Sequence, residues 1–266
     1  MESIFTTNGS ATAIPIWFVT AANYAEVRER LSAGARAFAD AAGFEPKPGQ
    51  YLALPGDGGL SGILFGLESA DDVKDLFLPG RLPQQLPSGV YRFANDPHDT
   101  RLAALAFAVG AYRFTRYHKS EGPKIKLDLP QSLDREDLER VVEAVTLVRD
   151  LVNTPANDMG PADLEEAART LAAKHGAGAR ATVGDDLLRE NFPLIHAVGR
   201  AAARQPRLID LTWGDVDDAR ITLVGKGVCF DSGGLDIKPD ASMLNMKKDM
   251  GGAATALALA HMVMSR

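Results

Sequence analysis

The segment Leu223-Val-Gly-Lys-Gly-Val-Cys-Phe-Asp-Ser-Gly-Gly-Leu-Asp-Ile-Lys-Pro239, followed by Met246-Lys-Lys-Asp-Met-Gly-Gly252, constrains this chain more than any other. It sets two lysines (Lys226, Lys238) and two carboxylates (Asp231, Asp249) among glycines and beside strongly apolar residues. A charge in apolar surroundings is costly without a partner, so a fold that accepts this segment must neutralise these groups. A divalent cation does so by balancing the carboxylates and taking the lone pair of a deprotonated amine. The segment reads as a metal site suited to hydrolysis.

The spacing adds a requirement on the backbone. Lys226 and Asp231 are separated by an odd offset, which in a regular strand puts them on opposite faces. For both to touch one ion the strand must break, and Gly225 and Gly227 are where it can. Asp231 then ends a strand before the tight Ser232-Gly233-Gly234 turn. Lys238, fixed by Pro239, can stay charged and face a developing oxyanion. Asp249 precedes Gly251-Gly252 and a helix over Ala253–Met264, near a helix N-terminus.

Taken singly, each residue has a plainer reading: surface lysines, and aspartates that cap turns. Gly225-Lys-Gly227 is a poor phosphate cradle, because that loop needs a longer glycine-bounded run ending in Gly-Lys-Ser/Thr before a helix. Cys229, between Val228 and Phe230, reads as a core thiol, and His261 as packing on an apolar helix face. No paired zinc-protease histidines occur, so a metallohydrolase of this sequence must use carboxylate and amine ligands.

The remaining composition bounds the class. A length of 266 residues suggests two domains, and 45% hydrophobic with 24% charged residues suits a soluble globular protein. A net charge of −6 gives no broad attraction to phosphate backbones, which argues against nucleic acid as a partner. A single cysteine fits a reducing compartment. The opening Met1–Asn8 lacks the pattern of a secretory signal and no apolar run is long enough to span a membrane, so a cytoplasmic location is expected.

Along the chain, hydrophobic periodicity predicts a strand at 14–19, a helix at 23–42, and strands at 50–54 and 60–67 joined by a hairpin through Pro55-Gly-Asp-Gly-Gly59. It predicts a proline-rich loop at 78–87, a strand at 90–93, a helix at 97–111, and a strand or helix end at 111–117. A strand at 124–129 precedes a helix capped by Asp134 and stopped at Asn153-Thr154-Pro155. A further helix starts near Pro161, and strands are expected at 180–183, 194–198, 207–213 and 220–224, with Asp215-Val-Asp-Asp218 as a polar hairpin tip. The expected fold is α/β, with an N-terminal α/β domain at 1–130, a linking helix at 131–154 and a second domain from 155 to 266.

The charged segment closely resembles the leucyl (cytosol) aminopeptidase family of two-metal exopeptidases. Val224–Gly234, Ile237-Lys-Pro239 and Met246-Lys-Lys-Asp-Met-Gly-Gly-Ala-Ala254 follow its motifs in order and spacing, and Arg149–Asn157 resembles the helix end that opens its catalytic domain. The resemblance covers about residues 149–260, while 1–130 is similar only in style, and it implies that 155–266 is the N-terminal part of a truncated mixed-sheet α/β catalytic domain. It implies that Lys226 is the amine ligand of the tighter metal site, Asp231 a bridging carboxylate, Asp249 a further ligand of the tighter site, Lys238 the catalytic lysine, and Met246 a residue lining the substrate pocket. The implied reaction removes N-terminal amino acids, often leucine, from peptides with a free N-terminus, using two divalent ions (manganese or zinc) in a hexamer.

One departure matters. The family's later Asn-Thr-Asp-Ala-Glu-Gly-Arg motif, which supplies two more carboxylate ligands, does not occur through Arg266. Two divalent ions carry four positive charges, whereas Asp231 and Asp249 supply two negative ones with Lys226 neutral, so at most one weakly bound ion is expected here. Leu257, Ala260 and Met264 form an apolar helix face with nothing after it to cover it. The expectation is a truncated portion of an aminopeptidase, inactive alone. The alternative is a short non-catalytic paralogue that binds peptides or serves in assembly.

Overall fold

The computed structural model describes residues 3–7, 12–118 and 122–266, so only part of the Met1–Asn8 opening falls within it. The chain is α/β and divides into two compact units, Met1–Val142 and Glu143–Arg266.

The first unit is a six-stranded sheet. Its elements are β1 (Phe5–Thr6), β2 (Ile14–Val19), α1 (Tyr24–Arg30), α2 (Ala33–Ala41), β3 (Tyr51–Gly56), β4 (Gly59–Gly66), β5 (Gly89–Phe93), α3 (Thr100–Gly110) and β6 (Ile125–Asp128). The strand order is β1-β6-β5-β2-β4-β3, parallel throughout except for the β3–β4 hairpin, whose Gly56 pairs with Gly59 across the expected turn. Parallel strands covered on both faces read as continuous apolar runs, and alternation then sorts the side chains. Ile16, Phe18, Ile63 and Phe65 point into one core with Tyr91, Leu105 and Phe107. Val19 and Leu64 point into the other, against Val27, Leu31, Ala35 and Ala39 of the α1–α2 region. Each buried Val, Leu, Ile or Phe among them contributes about 1.5–3 kcal/mol, and a one-residue slip of a strand would turn its buried set to the other face.

Three expectations fail in this unit. The helix predicted over 23–42 is two helices, because Leu31 turns extended (ψ 150°) and Ser32 caps α2, its side chain accepting from Ala35 N at 3.2 Å. Leu78–Gln84, expected as loop, is a 3₁₀ helix: Pro79 fits its first turn, and bonds such as Gly80 N to Phe77 O (2.8 Å) and Gln85 N to Leu82 O (2.8 Å) need little of the prolines' missing N–H groups. Residues 111–117 form neither strand nor helix.

α4 (Arg135–Asn153) contains the division between the units. Asp134 Oδ1 accepts from Asp137 N at 3.1 Å, the cap expected. The second unit continues with α5 (Pro161–His175), β7 (Gly178–Val183), α6 (Asp186–Arg189), α7 (Pro193–Gly199), β8 (Arg207–Thr212), α8 (Asp240–Met243), a 3₁₀ turn (Met246–Met250) and α9 (Gly251–Met264). β7 and β8 pair antiparallel. Leu151, Met159, Leu164, Cys229, Met250 and Ala254 form its core.

Residues 194–198 are helical rather than a strand: Pro193 sits in the first turn of α7, and the apolar Leu194 and Val198 that suggested a buried strand are 80% and 74% exposed. The expected strand at 220–224 forms no regular secondary structure and has no ladder partner among the described residues, with Ile221 84% and Val224 89% exposed. Apolar residues make a strand only where a neighbour satisfies the backbone. Asp215–Asp218 is a turn, closed by Asp218 N to Asp215 O at 3.2 Å, though not the tip of a hairpin.

Candidate metal centre

The loop from Gly225 to Pro239 meets the N-terminal end of α9 through backbone. Ala253 N donates to Lys226 O at 2.9 Å, and a Cβ built on Gly225 would lie 2.6 Å from Ala253 Cα and 2.6 Å from Gly252 O. Only glycine lets the two segments approach this closely. Gly225→Ala is therefore expected to cost about 1–3 kcal/mol through forced backbone displacement. A urea-unfolding midpoint equal to that of the parent protein would show that the approach is dispensable.

Two lysine–aspartate pairs stand on this frame. Lys226 Nζ lies 2.8 Å from both carboxylate oxygens of Asp249, which is carried on the Met246–Met250 turn. Lys238 Nζ lies 3.1 Å from Asp231 Oδ2, while Asp231 Oδ1 accepts from Gly233 N at 2.9 Å. Lys238 N donates to Ser232 O at 2.9 Å and Gly233 adopts φ +93°, so the loop closes tightly on itself. The Gly233 N–H and then the Lys238 ammonium hold Asp231 below the usual carboxylate range, and the charge of Lys226 acts in the same direction. Lys226 thus pairs with one acid and bears electrostatically on the other.

The setting is more open than apolar neighbours suggest. The Asp249 side chain is 14% exposed, but Lys226 is 60%, Asp231 37% and Lys238 31% exposed. Water screens such pairs, so they contribute little to stability and are free to exchange partners. Met246 opens the turn and is half-buried. Cys229 is buried, its thiol pushed up to about 11 by desolvation, and so is a core residue rather than an anionic ligand.

Two site contributors escape the sequence. The Gly233 N–H is backbone and leaves no signature. Lys247 Nζ donates to Asn153 O at the end of α4, 3.0 Å away, anchoring the turn that bears Asp249; nothing in Lys247-Lys248 says which of the two does so. Among the described residues, no three His, Cys, Asp or Glu side chains group to hold a metal. The donor types at the two pairs, amine and carboxylate, are ones that a divalent ion takes.

Beside these pairs runs an open apolar groove of about 1690 Å³, between β8, residues 219–230 and α9. Leu257, Ala260 and Met264 line it as expected, and Leu259 and Val263 add faces 43% and 52% exposed.

Residues 14–130 match the M17 aminopeptidase N-terminal domain, and residues 146–266 the catalytic domain of the cytosol aminopeptidase family. A probable cytosol aminopeptidase from Leifsonia xyli subsp. xyli is 36% identical over 252 residues, which are 86% of this chain and 51% of that protein. The crystal structure of the cytosol aminopeptidase from Coxiella burnetii superposes with a TM-score of 0.89 at 39% identity, covering 98% of this chain and 57% of that one. The bottromycin maturation enzyme BotP in complex with Mn follows at a TM-score of 0.78 and 27% identity, covering 96% and 56%. This chain spans about half the length of these relatives. No helix among the described residues is long and apolar enough to cross a membrane. With both of its units matched by domains of one family, the chain belongs to the cytosol aminopeptidase (M17) family.

Proposed function

We propose that the chain carries the first half of a metal-dependent aminopeptidase site, acting on peptides with a free, leucine-like N-terminus. The observation that supports this most is Lys226 Nζ at 2.8 Å from both Asp249 oxygens, with Asp231 within its electrostatic reach. A cation of either kind, ammonium or metal, suits that position. In this reading Lys226, Asp231 and Asp249 would hold the metal. A divalent ion there would supply Lewis-acid polarisation and a more acidic water.

The chain's own groups then have distinct tasks. To ligate, Lys226 must give up a proton, which frees both Asp249 oxygens. Lys238, charged and tethered to Asp231, presents its ammonium to the oxyanion that develops on the scissile carbonyl. Met246, half-buried beside Asp249, lines the pocket for the N-terminal side chain. A homo-oligomer of the hexameric kind, a cytoplasmic location, manganese or zinc as the metal, and residues 131–154 as the link between domains belong to the same proposal. The open groove supports the incompleteness of the site as it stands, because its exposed apolar walls need a cover. The same groove is the one observation that favours a peptide-binding or assembly role.

Metal content after dialysis against manganese or zinc tests the reading. At most one readily lost ion per chain is expected, and none in Asp249→Asn. Two tightly retained ions per chain, or unchanged retention in Asp249→Asn, would overturn the ligand assignment.

A further inference from the structure

His261, in the last turn of α9, is 3% exposed yet fully engaged in polar contacts. Its Nε2 lies 3.0 Å from Glu143 Oε2 on α4, and its Nδ1 lies 2.9 Å from Nε2 of His175 in the last turn of α5. Lys174 Nζ, next to His175, lies 2.8 Å from the same Glu143 oxygen. Ser265 Oγ is 3.1 Å from His261 Nδ1 and donates to the His261 carbonyl at 2.7 Å.

The chemistry of the acceptors fixes the protons. An ionised carboxylate only accepts, so His261 Nε2 carries a hydrogen; Nδ1 is then a lone pair, and His175 Nε2 must donate to it. Every group is satisfied while His261 is neutral. A second proton on His261 would aim N–H at N–H. It would also add a cation where the single charge of Glu143 is already shared with Lys174.

We propose that His175, His261 and Glu143 form a pH-operated latch that clips the C-terminal end of α9 to α4 and α5, closed while His261 is neutral and released as His261 takes up a proton. The groups facing His261 are Glu143 from α4, Lys174 and His175 from α5, and Ser265 from its own helix end. Burial, then the Lys174 charge, holds His261 below the ordinary histidine range against the opposing pull of Glu143. The folded chain therefore binds this proton less readily than the unfolded chain. The latch contribution is fully present above the unfolded histidine value of about 6.5 and is lost as pH falls through the lower folded value. Glu143, held below its usual range first by Lys174, shifts stability only near and below the unfolded glutamate value of about 4.3, so its window opens at lower pH than that of His261.

The latch matters beyond its own contacts because α9 begins two residues after Asp249 and its Ala253 N–H braces Lys226. It does not depend on any metal being bound. The test is urea unfolding of the full chain between about pH 8 and about pH 5, on the parent protein and on His261→Gln, whose amide can donate to Glu143 and accept from His175. The parent's folding equilibrium constant is expected to fall several-fold more across this range than the variant's. Identical pH profiles would overturn the proposal. Should His261→Gln not fold, proton NMR of the parent decides: His261 titrating below the other histidines while α9 amides gain exchange supports the latch, and any other result refutes it.

Discussion

Lys238→Ala is expected to lower kcat on leucine p-nitroanilide by about 10²- to 10³-fold, the usual consequence of removing one donor to a developing oxyanion. The measurement calls for a protein of family length. A chimera joining residues 1–266 to the remaining half of the Leifsonia xyli relative, loaded with manganese, provides it without assumption about the native gene. The Lys238 side chain is 31% exposed and its ammonium is tethered to Asp231 at 3.1 Å, so the backbone frame does not rely on it and folding should survive. The loop keeps its closure through Lys238 N to Ser232 O and Gly233 N to Asp231 Oδ1, neither of which uses the lysine side chain. KM should move far less than kcat, because in the proposed role the interaction strengthens only as charge develops on the carbonyl oxygen. An active chimera in which the alanine variant turns over equally fast would remove Lys238 from the chemistry. A chimera that folds, binds metal and turns over nothing would count against the aminopeptidase reading itself.

How far the sequence discloses this molecule depends on which forces act locally. β2 and β4 are legible because alternating burial leaves Ile16 and Phe18 in one core and Val19 in the other. The split at Ser32 is harder, since a serine within an amphipathic pattern can face solvent or cap a new helix, and only packing of the two segments chooses. The run 220–224 misleads for the opposite reason: its residues suit a strand, but a strand needs a neighbour. At the site, the lysines, acids and glycines are conspicuous, while their pairing is not. Lys226 meets Asp249 from 23 positions away, and nothing local says that it does so in place of Asp231. His261 is the plainest miss. Among alanines, leucine and methionine it reads as packing, yet its partners Glu143 and His175 lie 118 and 86 positions away, where no pattern within one helix can reveal them.

Met250→Ala is expected to destabilise the second unit by about 2–5 kcal/mol, as truncation of a buried methionine does. Met250 is 0% exposed and sits among Leu151, Met159, Leu164, Cys229 and Ala254, one residue from Asp249. It is the apolar anchor of the turn that presents the carboxylate, so the cavity it leaves should also loosen Asp249 and the first turn of α9. The informative contrast is with Lys226→Met, which deletes an ion pair whose lysine is 60% exposed and should change stability by only about 0–1 kcal/mol. Met250→Leu, close in volume, should recover most of the loss, to within about 1.5 kcal/mol of the parent. Urea unfolding followed by circular dichroism, with amide exchange at Ala253 as the local reporter, separates the two effects. A large loss in Met250→Ala and a small one in Lys226→Met would mean that packing beneath the turn holds the acid in place while the charges above it remain free to bind. The reverse order would mean that the ion pair itself builds the turn, and a group needed for structure in this way could not readily surrender its proton to become a metal ligand.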